Sequence, residues 1–287
     1  MEIKNYYTAV REAVAKLHEK DGFCRNDADV AEVRERFEKL PEIQKEFMLL
    51  SRARGERVIA EAFVLSAQDA ERAIELNDLV ARGVDNPEVF NSDQQIERNL
   101  SGEGWGLGVK ADGRLVAIVI LSTIPEDWTK LTANSPLSHI PPEEGAIRDI
   151  VVVHRDYRSN GLQRRLIELA ASCLPLKRKH LVSTISPQNP ASLISALSAG
   201  CHVIHWDRFY GGVERFLTYL KVGQDDPVKI RALPMLVPLS NSHINRAMLE
   251  SGYRAIGVEQ SEQGLMLRYG IQRIGRLKNL KKQGAAK

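Results

Sequence analysis

The 287-residue sequence is short of the residues that mark several classes of function. It has three cysteines, Cys24, Cys173 and Cys201, none in a CxxC spacing, so neither a disulfide framework nor a zinc knuckle is expected. Cys173 falls in an apolar helical pattern and Cys201 at the start of a strand pattern, where cysteine acts as a small buried hydrophobe. The seven histidines form no HxxxH or HExxH pair, which argues against a metal site. No apolar run reaches 18 residues, so no membrane span is expected. The opening MEIKNYYTAVREAVAKLHEK carries charges where a signal peptide carries an apolar core, and the expected location is the cytoplasm. Charge excess is missing as well. Forty Lys and Arg stand against 37 Asp and Glu, for a net charge of +3. Bulk charge therefore gives no reason to expect nucleic acid. The stretch from Arg273 to Lys282 is basic without an acid, and it reads as a solvated tail.

What is present is an ordinary globular mix, 43% hydrophobic and 27% charged. Residues 1–56 read as a helical N-terminal extension. One apolar face runs through Tyr6, Val10, Val14 and Leu17, and a second through Val30, Val33, Phe37 and Leu40 behind a possible Asn26-Asp27 cap. Ile43, Phe47 and Leu50 suggest a further short helix. From residue 57 the pattern changes. RVIAEAFVL reads as a strand, Ser66 with Asp69 as a capping box opening a helix, and Pro87 to Leu100 as a second helix. Two strands flank a hairpin signal at Ala111-Asp112-Gly113, followed by a Pro-rich loop from Pro125 to Pro142. AIRDIVVV, Ala146 to Val153, is the strongest strand pattern, with one acid in an apolar run. A turn, a helix from Leu162, a strand at His180–Ile185, a helix from Asn189 and two more strands complete a mixed α/β core over 57–222. Residues 223–287 read as an α/β extension with the basic tail, a capped helix near Ser240–Gly252 and two strands.

The segment that carries chemistry is the turn after Val153. A strand, a glycine turn and a helix together make a phosphate site, because the first helical amides have no internal partner and the helix dipole adds positive potential. Here the turn is Arg158-Ser159-Asn160-Gly161, and Leu162-Gln163-Arg164 opens the helix. Arg158, Arg164 and Arg165 add charge. Two nucleotide motifs do not apply. No lysine and hydroxyl follow the last glycine as in a Walker loop, and Gly104-Trp-Gly106-Leu-Gly108 precedes a hairpin strand rather than a helix.

Val153-His-Arg-Asp-Tyr-Arg158-Ser-Asn-Gly161-Leu-Gln163 resembles motif A of the GNAT acyltransferase superfamily. A preceding hairpin, a strand with an acid, a following strand, the Asn189-Pro-Ala-Ser192 helix start and Gly200 agree in order. The stretch Tyr210-Gly-Gly-x-x-Arg215 resembles an uncharacterised bacterial branch. The resemblance covers roughly residues 57–222. It implies an α/β fold with a mixed, mostly antiparallel twisted sheet, splayed at the cofactor site and flanked by helices. It further implies acetyl-CoA as cofactor and transfer of an acetyl group to a primary amine of a small molecule or peptide, by direct attack in a ternary complex.

On that resemblance, Val151 and Val153 face the pantetheine arm, Arg158, Ser159, Asn160, Gly161, Leu162, Gln163 and Arg164 hold the pyrophosphate, and Asn189 and Ser192 lie by the pantetheine. Asp149 is the candidate general base, since period-two alternation puts it on the face of Val151 and Val153. Pairing with Arg148 is its bland alternative. Two departures stand out. Gln163 occupies a position that is Gly or Ala in the motif, and Ala196 occupies one that is often the tyrosine general acid. Tyr210 is the candidate replacement. A catalytically degenerate CoA-binding or protein-interaction module is the competing reading. No membrane or nucleic-acid partner is expected, and the reading admits a homodimer.

Overall fold

The computed structural model describes residues 26–83, 93–210, 212–223, 235–262 and 264–271. The helix expected at Tyr6–Leu17, Cys24, the beginning of the helix expected at Pro87 and the basic tail lie outside them.

The described strands form one sheet of eleven, in the order β1-β2-β3-β4-β5-β6-β8-β7-β10-β11-β9. They are β1 (Glu46–Ser51), β2 (Glu56–Val64), β3 (Gly104–Ala111), β4 (Arg114–Ser122), β5 (Gly145–Val153), β6 (His180–Ile185), β7 (His202–Phe209), β8 (Val213–Lys221), β9 (Met235–Pro238), β10 (Tyr253–Ser261) and β11 (Gly264–Ile271). Every pairing is antiparallel except β5 with β6. The helices are α1 (Asp27–Glu38), α2 (Ala70–Ala81), α3 (Asp93–Arg98), α4 (Pro125–Thr132), α5 (Leu162–Cys173), α6 (Pro190–Ser198) and α7 (Ser242–Glu250). None of the helices is long and apolar enough to cross a membrane, among the described residues.

The sheet has two covered faces, and β4 shows how the sequence divides them. Ala117, Val119 and Leu121 pack with α1 and α5, while Ile118 and Ile120 pack with α2 and α3. An apolar run buried on both sides is what a central strand needs. Gly106 and Gly108 of β3 have a packing reason of their own. A Cβ at Gly108 would meet the Phe63 ring at 2.8 Å, so the glycines let neighbouring side chains cross the strand.

Three expectations need correction. Residues 46–51, expected as helix, form β1, with Phe47, Leu49 and Ser51 buried and Glu46, Met48 and Leu50 exposed. The spacing of Ile43, Phe47 and Leu50 fits a helix, but the helix is a single turn, Glu42–Lys45, and pairing with β2 takes the rest. The Pro-rich loop holds α4, because Pro125 lies in the first turn, where a missing N–H costs nothing. Trp128 from that helix packs on Gly145 and donates to the Ile140 carbonyl at 3.3 Å. The expected C-terminal extension carries its strands into the same sheet. β10 joins β7 through the pair Ala255–Val203 and continues the sheet. The third correction, the face on which Asp149 stands, belongs to the site.

Candidate active site

β5 and β6 are in register only at Gly145–His180, Ala146–Leu181 and Ile147–Val182. Beyond Ile147 the two strands part while both continue, β5 as far as Val153. The gap opens into a cavity of about 1000 Å³. It is lined by Arg148 to Val153, by Ser183 to Ser186 and by the first turns of α5 and α6. The sheet is thus splayed, as expected.

At one end of the gap lies the glycine turn. Ser159 and Gly161 both have φ of 68°, in the left-handed region, and no side chain caps α5. A Cβ built on Gly161 would meet no protein atom within 4 Å, so the space above the turn is open. Open space, uncapped amides and the positive end of a 12-residue helix fit a diphosphate. Arg158, Ser159, Gly161, Leu162 and Gln163 line the cavity. Arg164 does not line it and pairs with Glu168 at 3.0 Å on the helix surface. Asn160 also turns away. Its carboxamide oxygen accepts from Leu50 N at 2.8 Å, and its nitrogen donates to the Tyr157 and Leu50 carbonyls at 2.9 and 3.1 Å.

The turn is therefore braced by β1, which sequence reasoning read as helix. Arg52, just past that strand, donates to Ser159 Oγ at 2.7 Å and lines the cavity. Arg52 was missed because the contact joins residues 107 apart in the chain, and nothing local marks it. Asn189 caps α6 by accepting from Ser192 N at 3.1 Å, and Gln163 Nε2 donates to Ser192 Oγ at 3.1 Å. Both Asn189 and Ser192 line the cavity. Gln163 thus ties the first turns of α5 and α6 together.

The other face of the sheet holds the titratable groups. β4 and β5 are in register at Ile120–Ile150 and again at Leu121–Arg148, so Asp149 is the extra residue of a β-bulge. A bulge interrupts the alternation. Asp149 was expected on the face of Val151 and Val153. Instead its Oδ2 accepts from Asn99 Nδ2 at 2.9 Å, on the side where Ile150 and Val152 pack with α2 and α3. Val151 and Val153 stay on the α5 side. Arg148 is not the partner of Asp149. It reaches across the gap to Ser183 Oγ and to Cys201 Sγ, the latter at 3.9 Å.

Burial pushes the Asp149 carboxyl up to about 6, against the opposing hydrogen bonds of Asn99 and Gln95. That carboxyl is still ionised at neutral pH and accepts a proton readily, as a general base must. Asn99 carried a readable signal. It is fully buried and shares the helical stripe of Ile96 and Leu100, where a polar residue demands a partner.

Tyr210 stands at the mouth of the gap on the same face. Its φ is 50°, and its hydroxyl is 3.2 Å from Thr184 Oγ1. Burial of that hydroxyl end raises its pKa, and the charge of Asp149 acts in the same direction. Arg215 lies over the Tyr210 ring at 5.2 Å and donates to Thr184 Oγ1 at 3.2 Å. Ala196, where the resemblance has a tyrosine, is buried in the core and offers no hydroxyl. Cys173 and Cys201 are buried, and burial raises both thiols. No cluster of three metal-ligating side chains occurs among the described residues.

No protein-family profile and no curated protein matches the chain. Solved structures do. A probable acetyltransferase from Staphylococcus epidermidis is 14% identical, covers 56% of this chain and 98% of its own, and has a TM-score of 0.45. A GNAT-family acetyltransferase from Streptococcus pneumoniae is 15% identical over 57% and 99%, with a TM-score of 0.43. A diaminobutyrate acetyltransferase from Paenibacillus lautus, in complex with its substrate and coenzyme A, is 16% identical over 58% and 98%, with a TM-score of 0.42. These three acetyltransferase structures are what the chain is similar to, over a little more than half of its length.

Proposed function

We propose that this protein is an acetyl-CoA-dependent N-acetyltransferase acting on a primary amine of a small molecule or peptide. One observation carries the reading: an uncapped glycine turn and a carboxyl with a pKa of about 6 open onto the same gap between two parting strands. Acetyl-CoA, when bound, supplies an acyl group activated as a thioester. The amides of Leu162 and Gln163 and the side chains of Arg52 and Arg158 hold the diphosphate. Val151 and Val153 offer apolar contact to the pantetheine arm. Asp149 takes the proton that the ammonium group of the acceptor must lose before its nitrogen attacks. The new bond is N–C and the broken bond is C–S. Tyr210 Oη stands on the same face and donates a proton to the departing sulfur.

A second reading, a CoA-binding module without turnover, is favoured by Ala196 and by the Gln163–Ser192 hydrogen bond at the cavity wall. Calorimetric titration with CoA and thiol release from acetyl-CoA over an amine panel separate the two. Binding with release supports the enzyme, and binding without release supports the module. No binding defeats both.

A further inference from the structure

Arg215 is a buried cation that the protein leaves underused. Its residue is 8% exposed, and it lines the cavity on the face of Asp149. Nη1 donates to the Thr184 carbonyl at 3.4 Å and to Thr184 Oγ1 at 3.2 Å. Nε is buried with no hydrogen-bond partner among the described residues. Among those residues no carboxylate pairs with Arg215 either. Of the other buried cations, Arg148 shares the lack of a carboxylate but has Ser183 Oγ and Cys201 Sγ as side-chain partners. Arg178 pairs with Asp29 at 2.6 Å, and Lys45 pairs with Glu42 at 2.7 Å. Taking a guanidinium out of water without a counter-charge is unfavourable. A protein that keeps such a group in a cavity wall gains when an anion arrives there.

We infer that Arg215 anchors a carboxylate of the acceptor, so that the substrate class is an amine that also bears a carboxylate, such as an amino acid. The inference rests on the reading proposed above. The fork geometry of guanidinium suits a carboxylate, and the unused Nε belongs to the edge that a carboxylate engages with two parallel bonds. The same face presents Asp149 for the ammonium end. A zwitterion therefore finds each of its charges matched across one opening. The Tyr210 ring lies against the face of the guanidinium, which leaves the Nε edge to a carboxylate.

The test is a melting-temperature screen of the full chain against the standard amino acids and β-alanine, each with and without CoA. Every compound that responds is then compared with its carboxamide and its decarboxylated amine. At least one amino acid is expected to raise the melting temperature by several degrees through binding to the native state, and its carboxamide to bind about tenfold or more weakly. Arg215→Met is expected to melt at or above the unliganded wild type, because it removes an uncompensated buried charge, and to lose the response. Arg215→Lys is expected to keep part of it. The inference falls if no amino acid raises the melting temperature, if the carboxamide matches the acid, if Arg215→Met responds like the wild type, or if Arg215→Met melts well below it. The last outcome would make Arg215 a structural cation. Failure of CoA alone to shift the melting temperature, with the amino-acid response intact, counts against the acetyltransferase reading and leaves the carboxylate site standing.

Discussion

The two faces of the sheet at the β5–β6 gap are built from different materials. On the α5 face the site is mostly backbone: a turn with two left-handed residues, a helix start without a cap, and strand edges freed where pairing stops. On the α2 face it is mostly side chain: Asp149 held by Asn99, and Tyr210 and Arg215 gathered on Thr184. Backbone amides recognise a diphosphate whatever it is attached to. Side chains of defined charge recognise one acceptor. On the proposed reading, the difference teaches that the cofactor end of such a gap is generic and the acceptor end is particular to this chain.

Substitutions sharpen that division. The largest effect is expected for Asp149→Asn, with turnover reduced about 10²–10⁴-fold and CoA affinity unchanged. The pH profile gives a second readout. The carboxyl is raised to about 6, so it is charged only above that pH. The wild-type rate therefore falls roughly tenfold per pH unit below about 6, and the variant loses this limb. Equal losses in turnover and CoA affinity would merge the two faces into one. Gly161→Val should weaken CoA binding about 100-fold by calorimetry, because a β-branched residue resists a φ of 68° and fills the space left for the ligand. Its strain should lower unfolding stability by about 1–3 kcal/mol in urea without changing the circular dichroism spectrum. Tyr210→Phe should cost about tenfold in turnover and nothing in CoA affinity. Arg52→Ala should be the mildest, a CoA affinity a few-fold weaker with turnover intact at saturation. An Arg52→Ala effect on turnover alone would contradict its place on the α5 face.

The α5 face was legible in the sequence because it is local. The glycine, the arginines and the apolar helix lie within one short run, and the Asn189 cap follows the same logic. The α2 face was less legible because it depends on events far apart in the chain. Asp149 is expected from alternation on the face of Val151 and Val153 and stands on the other. Alternation assumes a regular ladder, and one extra residue between Ile150 and Arg148 breaks it. β1 was read as helix because exposed Met48 and Leu50 blur its period, so Arg52 and its bond to Ser159 went unseen. Proline misled at Pro125, where it starts a helix rather than prolonging a loop. Arg215 lay inside a quoted motif, but its burial and its idle Nε exist only in three dimensions.

A crystal structure grown with coenzyme A tests the division most directly. It should place the diphosphate on the amides of Leu162 and Gln163, the pantetheine between β5 and β6, and the sulfur at the level of Asp149. Coenzyme A bound elsewhere, or a gap closed by Gln163 and Ser192 at saturating ligand, would contradict it.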